Sequence, residues 1–336
     1  MATIKEVSRL ANVSTASVSK VINGDYSGVS EATKERILWA AKELKYRPNR
    51  LARGLVKSRT TIAGLLVPDI SNPYFAELAK GLEEEAEQNG YNLILCNTAD
   101  NPKKERKYIH MLVEYNADGV VLCGMESYDK TGVEMLTERE IPFVSIDRDA
   151  DVSAPVSFYS NSMLGAMLAT ERLMACGHRE IAFIGGEKVP EGRNKRYAGF
   201  LAAMASRNLS PDDNLIRFGP YNTQTGYERA TELLRGSKKF TAIVCANDLI
   251  ALGAVKAIRE KGLDVPKDIS LTGYDDILLS SLFEPKLTTI RQDSYTLGRE
   301  VFKELLGVIL GERKEKIVRT FEPELVLRES VRNIGQ

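Results

Sequence analysis

The sequence predicts a small all-helical N-terminal head followed by a larger α/β body with parallel sheets in two lobes. Apolar residues keep a helical period from Ile4 to Leu44. From Ile62 onward, strand-like apolar runs alternate with amphipathic helical stretches, the mark of a parallel sheet. Charge divides at the same place: residues 1–59 hold 12 Lys and Arg against 5 Asp and Glu, whereas the remaining 277 hold 34 against 41. The zero formal net charge therefore hides a basic module joined to an acidic body. A basic end of this kind points to a polyanion partner.

The head reads as three short helices. Ile4, Val7, Leu10 and Ala11 form one apolar stripe, and Asn12-Val13-Ser14 interrupts it. Val18, Val21 and Ile22 then resume the period on a second helix, with Ser14 as its N-cap. This is helix-turn-helix spacing. A polar loop, Gly24 to Gly28, leads to Ser30, the expected cap of a third helix whose stripe is Ile37, Leu38, Ala41 and Leu44. Tyr46-Arg47-Pro48 should end that helix, because Pro disfavours helical geometry in the residue before it. We place the head at residues 1–47 and a short hinge helix with linker at 48–60.

In the body the expected strands are 62–67, 91–96, 119–124, 143–147, 181–185, 242–246 and 269–273. Helical stretches lie between them at 74–89, 103–116, 161–176, 194–207, 223–235 and 249–261. That is long for one doubly wound sheet, so the body divides near residue 160. Two similar lobes would place a ligand cleft between the C-terminal ends of their strands.

Composition removes several function classes. The 336 residues are 43% hydrophobic and 27% charged, which suits a folded globular chain. Cys96, Cys123, Cys176 and Cys245 are far apart and lie in or beside apolar stretches, so burial is expected rather than metal or redox chemistry. His110 and His178 have no ligand-spaced partners. Gly185-Gly186 lacks the surroundings of a P-loop or a dinucleotide fold, and no cofactor or catalysis is expected. No leader-like or membrane-spanning run is present in the sequence, so the expectation is a cytoplasmic protein without a membrane partner.

The second helix opens with Ser14-Thr15-Ala16-Ser17-Val18-Ser19-Lys20, whose small side chains let a helix N-terminus approach DNA closely. Thr15 and Ala16 suit base edges or a thymine methyl, while Ser17, Ser19 and the helix dipole suit phosphates.

Several motifs carry a resemblance along nearly the whole chain. They include Thr3-Ile4-Lys5-Glu6-Val7, Ala11-Asn12-Val13-Ser14, Val18 to Asn23 and Tyr46 to Arg53. They continue through Pro68 to Phe75, Gly177-His178, Ala246-Asn247-Asp248, Gly273 to Asp276 and Leu287 to Gln292. Together these resemble the lac repressor (LacI/GalR) family of bacterial transcription regulators. The resemblance implies a periplasmic-binding-protein-like body of two lobes joined by three crossovers. The first lobe would comprise 61–160 and about 291–320, the second 161–290 and about 321–332.

The resemblance also implies roles. Thr3, Lys20, Asn23, Asn49, Ala52, Arg53 and Leu55 join the second-helix residues as DNA contacts. Leu55 matches a hinge leucine that wedges into the central base step of the operator, with Ala52 packed beside it; such wedging gives up stacking for a bent, better contacted duplex. Matching effector contacts are Asn72, Tyr74, Phe75, Asp147, Arg148, Arg196, Tyr221, Asn247, Asp275 and Gln292. Carboxylates, amides, arginines and an aromatic face suit the hydroxyls and ring of a polyol.

This set most resembles a ribose-type pocket. Tyr74 departs from the Phe-Phe pair usual there, leaving room for another sugar or a sugar acid; Arg193 and Lys195, beside Arg196, read first as solvated surface charge and second as help in holding an anionic ligand. The resulting expectation is a homodimer on pseudo-palindromic operator DNA, a repressor of carbohydrate-use genes released by a small sugar-like effector. Alternatives are a purine- or protein-corepressed regulator of the same family, and a sugar receptor or enzyme on the same two-lobed fold.

Overall fold

The computed structural model describes residues 2–46, 59–124, 130–148, 154–186, 194–313 and 315–335. It divides into two units, Met1–Thr60 and Thr61–Gln336. The first holds α1 (Ile4–Ala11), α2 (Thr15–Ile22) and α3 (Glu31–Glu43). Each helix start is fixed by a hydroxyl: Thr3 and Glu6 form a reciprocal capping box, Ser14 accepts from the Ser17 amide and Ser30 from the Thr33 amide. Asn12 closes α1 in the left-handed conformation, φ 51°. Val7, Ala11, Val18, Val21, Ile37, Ala40 and Ala41 make the head's core.

The second unit begins with β1 (Ile62–Val67), α4 (Pro73–Gln88), β2 (Asn92–Asn97), α5 (Pro102–Glu114), β3 (Gly119–Cys123), α6 (Lys130–Glu138), β4 (Phe143–Ile146) and β5 (Val156–Ser160). It continues with α7 (Ser162–Ala175), β6 (Ile181–Ile184), α8 (Lys195–Ser206), β7 (Ile216–Arg217), α9 (Thr223–Arg235), β8 (Ala242–Cys245), α10 (Asp248–Glu260) and β9 (Ser270–Thr272). Then come α11 (Leu278–Leu282), β10 (Thr289–Arg291), α12 (Ser294–Ile309), β11 (Ile317–Phe321) and β12 (Glu324–Val326).

One lobe is built on a parallel sheet of order β11-β5-β4-β3-β1-β2, the other on a parallel sheet of order β7-β6-β8-β9. Period-two alternation sends Leu65, Val67, Val121 and Val144 to a core under α4 and α12. Leu66, Val120 and Leu122 face the opposite core under α5 and α6. The second lobe closes around Ile181 to Ile184 and Ala242 to Cys245.

The chain passes between lobes three times, after β5, after β10 and between β11 and β12. β10 and β12 pair antiparallel, Ile290 opposite Leu325, and link the crossings. Asn161 donates to Glu322 at 3.0 Å, and Arg291 and Arg328 both grip Asp276.

The alternation read from the sequence missed α6, β5, β7, α11, β10, α12, β11 and β12. β5 and β11 mix polar with apolar residues, because each leaves part of its surface in water. The four cysteines are free and buried. Among the described residues, no helix is long and apolar enough to cross a membrane.

Candidate DNA-recognition face and ligand site

On the head, Thr15, Ala16, Lys20 and Asn23 are exposed, and Ser17 and Ser19 are half-buried. The Thr3 and Ser14 hydroxyls are engaged as caps, and the Ser17 hydroxyl lies 3.0 Å from that of Ser14. Lys20 reaches back to the Ser27 carbonyl at 3.2 Å, and the Asn23 amide donates to Ser19 at 3.3 Å. A shallow groove between α1 and the start of α2 is bounded by Lys5, Ser8, Arg9, Asn12, Val13 and Thr15. It presents a helix N-terminus beside two cations, the arrangement that receives a phosphate backbone. Asn49, Ala52, Arg53, Leu55 and most of the expected hinge lie outside the described residues, as does Arg193.

In the body, the structure brings Asn72, Tyr74, Asp147, Arg196, Tyr221, Asp275 and Gln292 together where the lobes meet. Asn72 caps α4, its side-chain oxygen accepting from the Tyr74 amide at 3.1 Å, and it also bonds Asp275 across the lobe boundary. Asp275 sits at φ 102°, a backbone conformation unusual for any residue but glycine, and is 5% exposed. Its Oδ1 accepts from Arg196 at 3.2 Å and from the Gln292 amide at 2.8 Å. Burial raises the pKa of Asp275, against the lowering pull of Arg196, Gln292 and Asn72.

Arg196 also donates to the Ala246 carbonyl and lies over the Tyr274 ring, 3.9 Å from its centre, with Tyr221 at 5.4 Å. Burial disfavours its charge, but Asp275 together with Tyr221, Tyr274 and Tyr74 outweighs that and raises its pKa above the usual arginine value. Asp147, also at positive φ (49°), accepts from the Ser160 amide at 2.6 Å and hydroxyl at 2.9 Å. One side of Asp147 is open, yet the surrounding protein raises its pKa.

Tyr74 stands between these acids. Burial, then Asp147 and Asp275, push its hydroxyl well above the ordinary range, so it is a protonated donor. That hydroxyl and the Gln292 Oε1 are buried and have no hydrogen-bond partner. Two orphaned polar atoms in one place are what a ligand's polar groups would satisfy.

Three expected contacts behave differently. Arg148 turns inward: its Nε donates to the Cys123 carbonyl at 3.1 Å and its guanidinium pairs with buried Glu105 on α5. A guanidinium 2% exposed needs a carboxylate inside the protein, and Glu105 supplies it. Asn247 caps α10 through its oxygen, 2.9 Å from the Ile250 amide, and its amide bonds the Tyr221 carbonyl at 3.3 Å, so it positions Tyr221. Phe75 stacks edge-on to Tyr74, centres 5.1 Å apart, and packs on the first lobe's core. The sequence reading did not single out Tyr274, although it adjoins Asp275 in Gly273-Tyr274-Asp275-Asp276 and underlies Arg196.

A DNA-facing helical head and a polar site between two parallel-sheet lobes define a ligand-responsive DNA-binding regulator. The family profiles agree: residues 3–49 match the bacterial regulatory proteins of the lacI family, and 60–324 match the periplasmic binding proteins and sugar binding domain of the LacI family. The chain belongs to the LacI family of bacterial regulatory proteins. It is 39% identical over 338 residues to the HTH-type transcriptional repressor PurR of Actinobacillus pleuropneumoniae serotype 3 (strain JL03), covering all of both chains. Among solved structures it is similar to the lac repressor dimer bound to operator and the anti-inducer ONPF, with TM-score 0.85 and 27% identity, covering 98% of this chain and 99% of that one. A LacI family regulator from Enterococcus faecium with bound ribose matches at TM-score 0.74 and 29% identity, over 81% of this chain and 99% of that one. Relatives matching along the whole chain thus include PurR repressors, and the resemblance is not specific to the ribose-type subgroup.

Proposed function

We propose that the chain is a homodimeric transcriptional repressor whose grip on a pseudo-palindromic operator is set by a purine-type base bound at Asp275. The observation carrying a ligand site here is the convergence of Asn72, Arg196 and Gln292 on one buried carboxylate, beside the unpartnered Tyr74 hydroxyl. The full-length likeness to PurR repressors favours a purine. A flat ring edged with N–H and C=O groups matches this mixture of donors, acceptors and aromatic faces.

A sugar released as inducer is the second reading. Two aspartates with an arginine and an amide suit vicinal hydroxyls, and the similar Enterococcus faecium regulator holds ribose. In either case the ligand shifts DNA affinity only through its different affinity for two lobe arrangements.

The test is a thermal-shift screen with purine bases, pentoses and hexoses, followed by a gel shift on a palindromic fragment. A ligand at about 100 times its Kd adds about 2.7 kcal/mol of stability, a readily visible shift. Purine stabilisation with tighter operator binding supports the first reading, and sugar stabilisation with operator release supports the second. Asp275→Ala should abolish the ligand response while operator binding stays at its ligand-free level; a normal response in that variant removes the site assignment.

A further inference from the structure

Resting on the reading of this site as the effector site, we infer that it selects uncharged ligands and rejects their phosphorylated or carboxylated counterparts. The described lining contains two carboxylates, Asp147 and Asp275, and one guanidinium, Arg196. Arg196 is already matched by Asp275 at 3.2 Å and by the Ala246 carbonyl. The cation beside Asp147 in sequence, Arg148, is paired with Glu105 and the Cys123 carbonyl. Lys195 is exposed, where water screens its charge. Among the described residues, the Asp147 carboxylate therefore meets an incoming ligand with Ser160 as its hydrogen-bond partner and Arg196 as the charge acting on it.

Helix N-termini are the usual alternative source of anion affinity. Three begin at this site, and each is already capped by an asparagine oxygen: Asn72 takes the Tyr74 amide, Asn194 the Tyr197 amide and Asn247 the Ile250 amide. One N–H at each of these three helix starts is thus already engaged by the chain itself. Among the described side chains, the groups still open to a ligand are the Asp147 carboxylate and the unpartnered Gln292 Oε1 as acceptors, with the Tyr74 hydroxyl as a donor. A neutral ring bearing O–H or N–H groups fits that demand, whether a free base or a free sugar. The protein would then respond to the unphosphorylated compound and ignore the phosphate ester made from it.

Titration calorimetry on the full chain with matched pairs tests this: hypoxanthine against inosine 5′-phosphate, ribose against ribose 5-phosphate, and ribose against ribonate, which is close in size. The neutral member should bind and its anionic partner should bind at least about tenfold more weakly. Asp147→Asn should narrow that gap, and raising salt should narrow it in the unmodified chain. An anion binding as tightly as its neutral partner overturns the selection while leaving the effector site standing. A gap unmoved by both Asp147→Asn and salt overturns its electrostatic basis. Failure of every neutral and anionic compound to bind overturns the effector-site reading and the selection with it.

Discussion

Tyr74 shows how a single side chain trades stability for recognition. Its hydroxyl is buried without a partner, which costs about 1–3 kcal/mol relative to a bonded one. Tyr74→Phe should therefore raise the stability of the ligand-free protein by about 1 kcal/mol in chemical denaturation and weaken ligand binding in titration. A variant that binds ligand as well as before would show that the hydroxyl is not a contact. Asp248 shows the reverse arrangement, a buried acid with many partners. It accepts from Thr289, Ser280 and the Ile277 amide, at 2.5, 2.6 and 2.9 Å, tying α10 to α11 and to β10. Burial, then the charge of Asp275, push its pKa up to about 7 against those bonds. The folded state thus holds this proton more tightly than the unfolded chain, and the stability it contributes is lost as pH rises from about 4 through about 7. Asp248→Asn should remove that slope, seen as a flatter dependence of Tm on pH than in the unmodified protein.

At the scale of elements, α9 and α10 approach so closely that glycine is required on both. A Cβ on Gly226 would lie 2.0 Å from the Ile250 carbonyl oxygen, and one on Gly253 2.0 Å from that of Thr223. Gly226→Ala gains about 1 kcal/mol of helix propensity but forces the helices apart. We expect a net loss of about 2 kcal/mol in denaturant titration, because overpacking outweighs propensity.

The same scale explains what the sequence made legible. The head's helices and the body's strands from Ile62 to Ile269, β5 and β7 excepted, were readable because their apolar runs are long and the helix caps explicit. α12 was not singled out, although Leu297, Val301, Phe302 and Leu305 follow a helical period under the first sheet. β11 returns to a sheet whose other strands lie more than 150 residues earlier, and local pattern carries no record of such a pairing. In the site, Asp275, Arg196 and Gln292 were nameable from motifs. The pairing of Arg148 with Glu105 was not, since those residues are distant in sequence and only packing selects the partner.

For the whole molecule, the DNA-facing head and the ligand site work together only if the hinge reads the operator. We propose that Leu55→Ala weakens specific operator binding more than non-specific binding, measured by gel shift against operator and random duplex at one salt concentration. Equal losses on both would remove the wedge.

The threefold crossing between lobes also limits how the body can move. A single connecting strand would let the lobes swivel, slide and twist independently. Three short connections, cross-linked by the β10–β12 pair and by Arg291 and Arg328 on Asp276, forbid most of those displacements. What survives is close to one angular coordinate, so very different ligands would all have to express themselves as more or less of the same rotation. A body of this kind can exchange its pocket chemistry through evolution while the mechanical signal delivered to the head keeps one form.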